Sequence, residues 1–120
     1  MQIARQIIVL DAADPSAESA FWAALLCGTV DADDDWHTIR VDGKPYLAVQ
    51  LAPDHVQPEW PDGTPQQIHL DLYVDDVQGA HEEVTALGAR LLKPADDITS
   101  SEGFQVYADP AGHPFCLCWG

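Results

Sequence analysis

Asp109-Pro110-Ala111-Gly112-His113-Pro114-Phe115 decides the fold, because its last four residues have a counterpart earlier in the chain. Gly43-Lys44-Pro45-Tyr46 repeats the same Gly-x-Pro-aromatic order. The glycine permits a tight turn, the proline fixes the direction of the backbone, and the aromatic residue opens a strand. The match therefore constrains turn chemistry and strand start together. Working outward, Asp14 and Asp76 each stand before an amphipathic stretch that stops at a glycine, Gly28 and Gly88. An aspartate caps free amides at a helix start, and a glycine accepts the left-handed conformation at a helix stop. One small βαβββ unit used twice is the expected plan, and such a chain builds a cupped sheet with a pocket.

The element expectations follow from periodicity. Residues 5–10 are apolar and β-branched, which predicts a strand buried on both faces. Pro15 sits at the first position of the first helix, and Ala17, Phe21, Ala24 and Leu25 are expected to face the sheet. Residues 31–35 form an acidic run, expected as an exposed turn. Residues 36–41 and 46–51 are expected strands around the Asp42-Gly43 hairpin signal. Residues 53–67 hold four prolines, one glycine and Trp60, and form the one long irregular stretch. The expected division is a single domain over 1–120, with a first module 1–53, a linker 54–67 and a second module 68–120. In the second module, residues 68–74 alternate strictly, and Val77, Ala80, Val84 and Leu87 share a helix face. A short strand is expected at 89–93, a polar loop at 95–103, and a closing hairpin from 104–108 and 115–119.

Bulk properties remove several function classes. The chain has 120 residues, of which 47% are apolar, enough for one core without staples. Five Lys and Arg against twenty Asp and Glu give a net charge of −15. Nucleic acids and anionic membrane surfaces need clustered cations, so neither is an expected partner. The charge suits a solvated acidic surface and would attract cationic small molecules. No apolar run approaches the ~18–20 residues of a membrane span, and no charged-then-apolar signal pattern opens the chain. Cys116 and Cys118 lie two apart on one strand, pointing the same way but poorly placed to bridge each other. Free thiols and a cytoplasmic location are expected. A phosphate-cradling glycine loop, a Cys-x-x-Cys pair, a nucleophile elbow and a Ca²⁺ loop are all missing from the sequence.

Several stretches carry a resemblance. They are Asp14 through Phe21-Trp22 to Leu26-Cys27-Gly28, His69-Leu70-Asp71-Leu72 with Asp76, Leu87-Gly88-Ala89, and Asp109-Pro110-Ala111-Gly112. Together they resemble the vicinal oxygen chelate superfamily, which includes glyoxalase I, extradiol dioxygenases, fosfomycin-resistance enzymes and bleomycin-binding proteins. Within it the chain is most similar to the short glyoxalase-like proteins of bacteria. The resemblance implies an α+β fold of two βαβββ modules, a cupped eight-stranded mixed sheet and a homodimer. It also implies one divalent metal, held by residues of both modules, that binds two adjacent substrate oxygens.

Carried onto this chain, the metal positions fall on Ile7, His69 and Cys116, with Leu47 or Gln50 on the strand 46–51. Ile7 cannot ligate, and Gln50 is favoured over Leu47 as the polar choice. The set is incomplete, so the expectation is a chain without a bound metal, with zinc on His69, Cys116 and Gln50 as the alternative. If His69 faces the pocket, alternation brings Asp71 and Tyr73 to the same side, with Cys116 and Cys118 on the last strand. His69, Asp71 and Tyr73 are the candidate catalytic residues. Asp71 serves either as a general base or as the ion-pair partner of Arg5 or Arg40. Trp36, Gln50, Trp60 and Cys118 are the candidate substrate contacts, the tryptophans by stacking on a flat ligand. Trp22 is expected in the core. His37, His55, His81 and His113 are expected in turns or on exposed faces. Three functions remain: a lyase, isomerase or dioxygenase acting on vicinal oxygens, a non-catalytic binder that sequesters a cationic aromatic drug, or a degenerate module kept for protein contacts.

Overall fold

The structure, a computed structural model, describes residues 1–120. The chain divides into two units, Met1–His55 and Val56–Gly120. Each is a βαβββ module with its own four-stranded mixed sheet, so the fold is α+β and the eight expected strands are present as two sheets of four.

The first unit contains β1 (Ile8–Ala12), α1 (Pro15–Leu25), β2 (Thr29–Ala32), β3 (Trp36–Val41) and β4 (Lys44–Leu51), in sheet order β1-β4-β3-β2. β1 runs parallel to β4 and the other pairs are antiparallel. The first strand starts later than expected and is not buried on both faces. Leu10 and Ala12 are buried while Asp11 is exposed, because only one face of the sheet carries a helix. Part of the acidic run is a strand. Asp31 sits opposite Thr38, and its carboxylate pairs with Arg40 at 3.3 Å. Every residue of β2 is exposed, so no apolar alternation marks it as a strand.

Asp14 caps α1 as expected, accepting the Ala17 amide at 3.2 Å with Pro15 behind it. The buried face of α1 differs from the expected one. Glu18, Ser19, Phe21, Trp22 and Ala23 are buried, whereas Ala17 and Ala24 are exposed. Polar residues are tolerated there because they are bonded. The Trp22 indole donates to Glu18 Oε1 at 3.1 Å, and Ser19 Oγ shares a 2.9 Å hydrogen bond with His37 Nδ1. His37 is therefore a buried residue on the helix side of β3, not an exposed one. At the end of α1 the left-handed residue is Cys27, at φ 55°. Gly28 is needed for close approach instead, since a Cβ there would run into the carbonyl oxygen of Arg40.

The second unit contains β5 (Leu70–Tyr73), α2 (Val77–Ala86), β6 (Arg90–Lys93), β7 (Gly103–Ala108) and β8 (Pro114–Trp119), in sheet order β5-β8-β7-β6. Asp76 caps α2 through the Gly79 amide at 3.0 Å, and Val77, Ala80, Val84 and Leu87 form its buried or half-buried face. His81 is half-buried rather than free on the surface, and it ends a chain of hydrogen bonds. The Ala95 amide donates to Gln105 Oε1 and Gln105 Nε2 donates to the Tyr107 hydroxyl. The hydroxyl also shares a 2.8 Å hydrogen bond with His81 Nδ1. The chain of bonds ties α2 to β7 and to the loop before it.

The turn between β7 and β8 explains the Asp-Pro-x-Gly sequence. Asp109 is buried, and its Oδ1 accepts the amides of Ala111 at 3.1 Å and His113 at 2.8 Å. Gly112 takes φ 87°, and a Cβ there would crowd Gln57. Asp109→Ala should lower unfolding free energy by about 2–3 kcal/mol, the cost of stranding two amides that bond a carboxylate. Asp109→Asn keeps an acceptor oxygen and should recover much of that loss in urea unfolding.

Candidate functional site

The geometry of the site starts from strand register. β5 and β8 are parallel, with Asp71 opposite Cys116 and Tyr73 opposite Cys118. β8 and β7 are antiparallel, with Cys116 opposite Val106 and Cys118 opposite Phe104. Side chains alternate across a sheet, so Asp71, Tyr73, Cys116, Cys118, Val106 and Phe104 share one face. The other face carries Leu70, Leu72, Phe115, Leu117, Gln105 and Tyr107. Helix α2 lies on that second side, as the His81–Tyr107 contact shows. The candidate residues of the second module thus occupy the helix-free face.

His69, Asp71 and Cys116 come together there. His69 lies one residue before β5 and its Nε2 stands 3.4 Å from Asp71 Oδ1. The ligand atoms of His69, Asp71 and Cys116 all lie within 4.8 Å of one another. The ion-pair partner of Asp71 is His69, while Arg40 pairs with Asp31. Both side chains of the His69–Asp71 pair are about half exposed, at 45% and 47%. Such a pair adds at most about 1 kcal/mol to stability.

Cys116 is 8% exposed and its thiol is bonded to the Asp71 carboxylate. Burial first, then the Asp71 hydrogen bond and the nearby negative charges, push the Cys116 thiol up to about 12. The Cys118 thiol is raised as well, by burial and then by Asp71. Cys118 packs with Cys116 and Val106 in an apolar cluster that Trp60 and Leu92 partly cover. Trp60, from the proline-rich stretch, therefore lies against the floor of the same face. Leu92, Val106 and Phe104 were not singled out from sequence. Val106 and Phe104 are placed by the β7–β8 register, and Leu92 by the β6–β7 register, which shifts at a bulge between Leu91 and Lys93. Lys93 holds its ammonium 5.1 Å from the Phe104 ring centre.

Tyr73 is on the expected face but 75% exposed. It borders a cleft of about 570 Å³ that runs past the start of α2 to Ser100 and Trp119. Trp36 and Gln50 belong to the first unit, where they face each other across β3 and β4, and both are exposed. Leu47 is buried on the side of its sheet that holds Ile39. Cys27, Cys116 and Cys118 are free thiols.

As a donor set, one imidazole, one carboxylate and one thiol suit zinc. Hard ions such as Mg²⁺ and Mn²⁺ favour several carboxylates and water.

The family model of the glyoxalase-like domain matches residues 7–118. The chain belongs to the glyoxalase-like domain family. Solved structures share its fold. FosX, the fosfomycin resistance protein of Listeria monocytogenes, described as complexed with Mn(II) and sulfate ion, has a TM-score of 0.72 and 16% identity, covering 100% of this chain and 92% of its own. A glyoxalase/bleomycin resistance protein/dioxygenase family enzyme from Burkholderia phytofirmans PsJN has a TM-score of 0.69 and 17% identity, covering 93% and 94%. A glyoxalase-related enzyme from Fulvimarina pelagi has a TM-score of 0.68 and 20% identity, covering 98% and 89%. None of the curated proteins matches the chain. No helix is long and apolar enough to cross a membrane.

The raised Cys116 thiol gives a pH expectation. A thiol that holds its proton more tightly in the folded state stabilises the fold fully below its ordinary value of 9.0, and this contribution fades as pH rises toward about 12. In chelator-treated protein, the urea midpoint should fall across that window more steeply in the wild type than in Cys116→Ala. Native alkylation at mildly alkaline pH should label exposed Cys27 well before Cys116. Equal labelling would contradict the buried, carboxylate-bonded thiol.

Proposed function

We propose that this chain is a small-molecule-binding glyoxalase-like protein that acts on a ligand with two adjacent oxygens, on the helix-free face of its second sheet. The supporting observation is the convergence of His69, Asp71 and Cys116 beside Trp60. The half-exposed imidazole and carboxylate can reach a ligand, while the apolar floor of Cys118, Val106 and Leu92 offers it a dry surface. The reaction would be of lyase, isomerase or dioxygenase type. Asp71 would accept a proton from the ligand, and His69, bonded to Asp71, would hold that carboxylate in place. Tyr73 would contact only a ligand long enough to leave the cluster. A homodimer and a cytoplasmic location fit this reading.

A second reading has specific support. The net charge of −15, the lack of a ligating residue at Ile7 and the placement of Trp60 favour a binder that sequesters a cationic aromatic molecule. The Mn(II) reported with the Listeria FosX gives no direct guide, because this chain offers a thiol and one carboxylate in its cluster.

Tryptophan fluorescence separates the two readings. Catechol, a simple vicinal-oxygen ligand, should quench the protein saturably. His69→Ala and Trp60→Ala should each weaken that binding about tenfold, the size of one good aromatic or charged contact. Saturable quenching by bleomycin but not by catechol, lost in Trp60→Ala and kept in His69→Ala, would replace the first reading with the second.

A further inference from the structure

We propose that His69 Nε2, Asp71 Oδ1 and Cys116 Sγ form a three-donor zinc site closed within the second module, with Asp71 as the third ligand. This rests on the functional reading of the same face and names the ion it would use, with the bound ion rather than the Asp71 carboxylate activating the ligand. The family resemblance led to a different set, with Gln50 of the first module beside His69 and Cys116. The register of the second sheet supplies the replacement. Asp71 lies opposite Cys116 on the neighbouring parallel strand, and His69, two residues earlier, reaches the same side.

The distances suit a small tetrahedral ion. Nitrogen and oxygen ligands at ~2.0–2.1 Å from zinc, set at tetrahedral angles, lie about 3.3 Å from each other. His69 Nε2 and Asp71 Oδ1 are already 3.4 Å apart. A sulfur ligand at ~2.3 Å belongs about 3.6 Å from the other two donors. The three ligand atoms lie within 4.8 Å of one another, so the sulfur distances need to close by no more than about 1.2 Å to reach that geometry.

Charge also closes. On binding, the Cys116 thiol proton leaves to solvent and a thiolate–zinc bond takes its place. One thiolate and one carboxylate then balance the two positive charges of the ion, and neutral His69 completes the donors. The apolar neighbours Val106, Cys118 and Leu92 cover the sulfur side, while His69 and Asp71 remain half open to water. Three protein donors and one open side are the pattern of a zinc site that keeps a position for water or substrate. One of two adjacent ligand oxygens would meet the ion in that open position, and the second would join it only with the ion expanded to five ligands.

Cobalt is the probe. Chelator-treated full-length protein, kept reduced and anaerobic, is titrated with Co²⁺. One equivalent should produce visible bands of tetrahedral cobalt and an ultraviolet thiolate-to-cobalt band, and added Zn²⁺ should bleach both. Cys116→Ser should lose the thiolate band. His69→Ala and Asp71→Asn should each weaken binding by at least the ~10–100-fold that losing an outer partner of a metal site costs, while Cys27→Ser should bind as the wild type does. Asp71→Asn preserves shape, and circular dichroism of each metal-free variant shows that it is folded. The proposal is overturned if folded wild type gives no thiolate band. It is equally overturned if Gln50→Ala loses as much affinity as Asp71→Asn. Catechol binding without any cobalt response would sink the metal site alone. A cobalt response without binding of any small molecule would sink the functional reading alone.

Discussion

The pairing of β5 with β8 is the constraint on which the site depends. These strands are the first and last of the second module and run parallel, so a helix and two more strands separate them along the chain. The Val74 amide bonds the Cys118 carbonyl at 2.9 Å beyond the paired residues, extending the ladder. Because side chains alternate, a slip of one residue would turn Asp71 from Cys116 toward α2 and bring Leu72 out to water. Apolar Leu70 and Leu72 on one side and acidic Asp71 on the other make that slip costly. The turn held by Asp109 fixes where β8 begins and so fixes the register from the other end.

The two modules share this plan but not its chemistry. Five residues before each capping aspartate stand Val9 in the first unit and Asp71 in the second. Val9 lies opposite Ala48, where Asp71 lies opposite Cys116. The corresponding face of the first sheet is therefore apolar where the second offers two ligating atoms. Polar character in the first unit appears further along, in the row Asp11, Gln50 and Trp36. A repeated backbone thus carries the cluster in one copy only.

Much of the fold was legible because its punctuation is local. Asp14, Asp76, Gly88 and the Asp42-Gly43 pair act through their own backbone neighbours, and each does what its chemistry predicts. The misread parts depend on partners distant in sequence. β2 is a strand only because β3 pairs with it. The buried face of α1 includes Glu18 and Ser19 only because Trp22 and His37 bond them. His81 is held by Tyr107 from another strand. In the site, alternation alone placed Asp71 and Cys116 on one face with His69. The covering role of Leu92 stayed hidden because it turns on the bulge between β6 and β7. The exposure of Tyr73 was hidden for another reason: alternation gives a side, not a depth.

The account stands on the relation between residue 71 and residue 116, and interstrand proton NMR contacts test it most directly. Cross-strand backbone contacts should place Asp71 beside Cys116 and Tyr73 beside Cys118. Contacts that set Leu72 beside Cys116 would turn the carboxylate away from the thiol and contradict the site from its foundation.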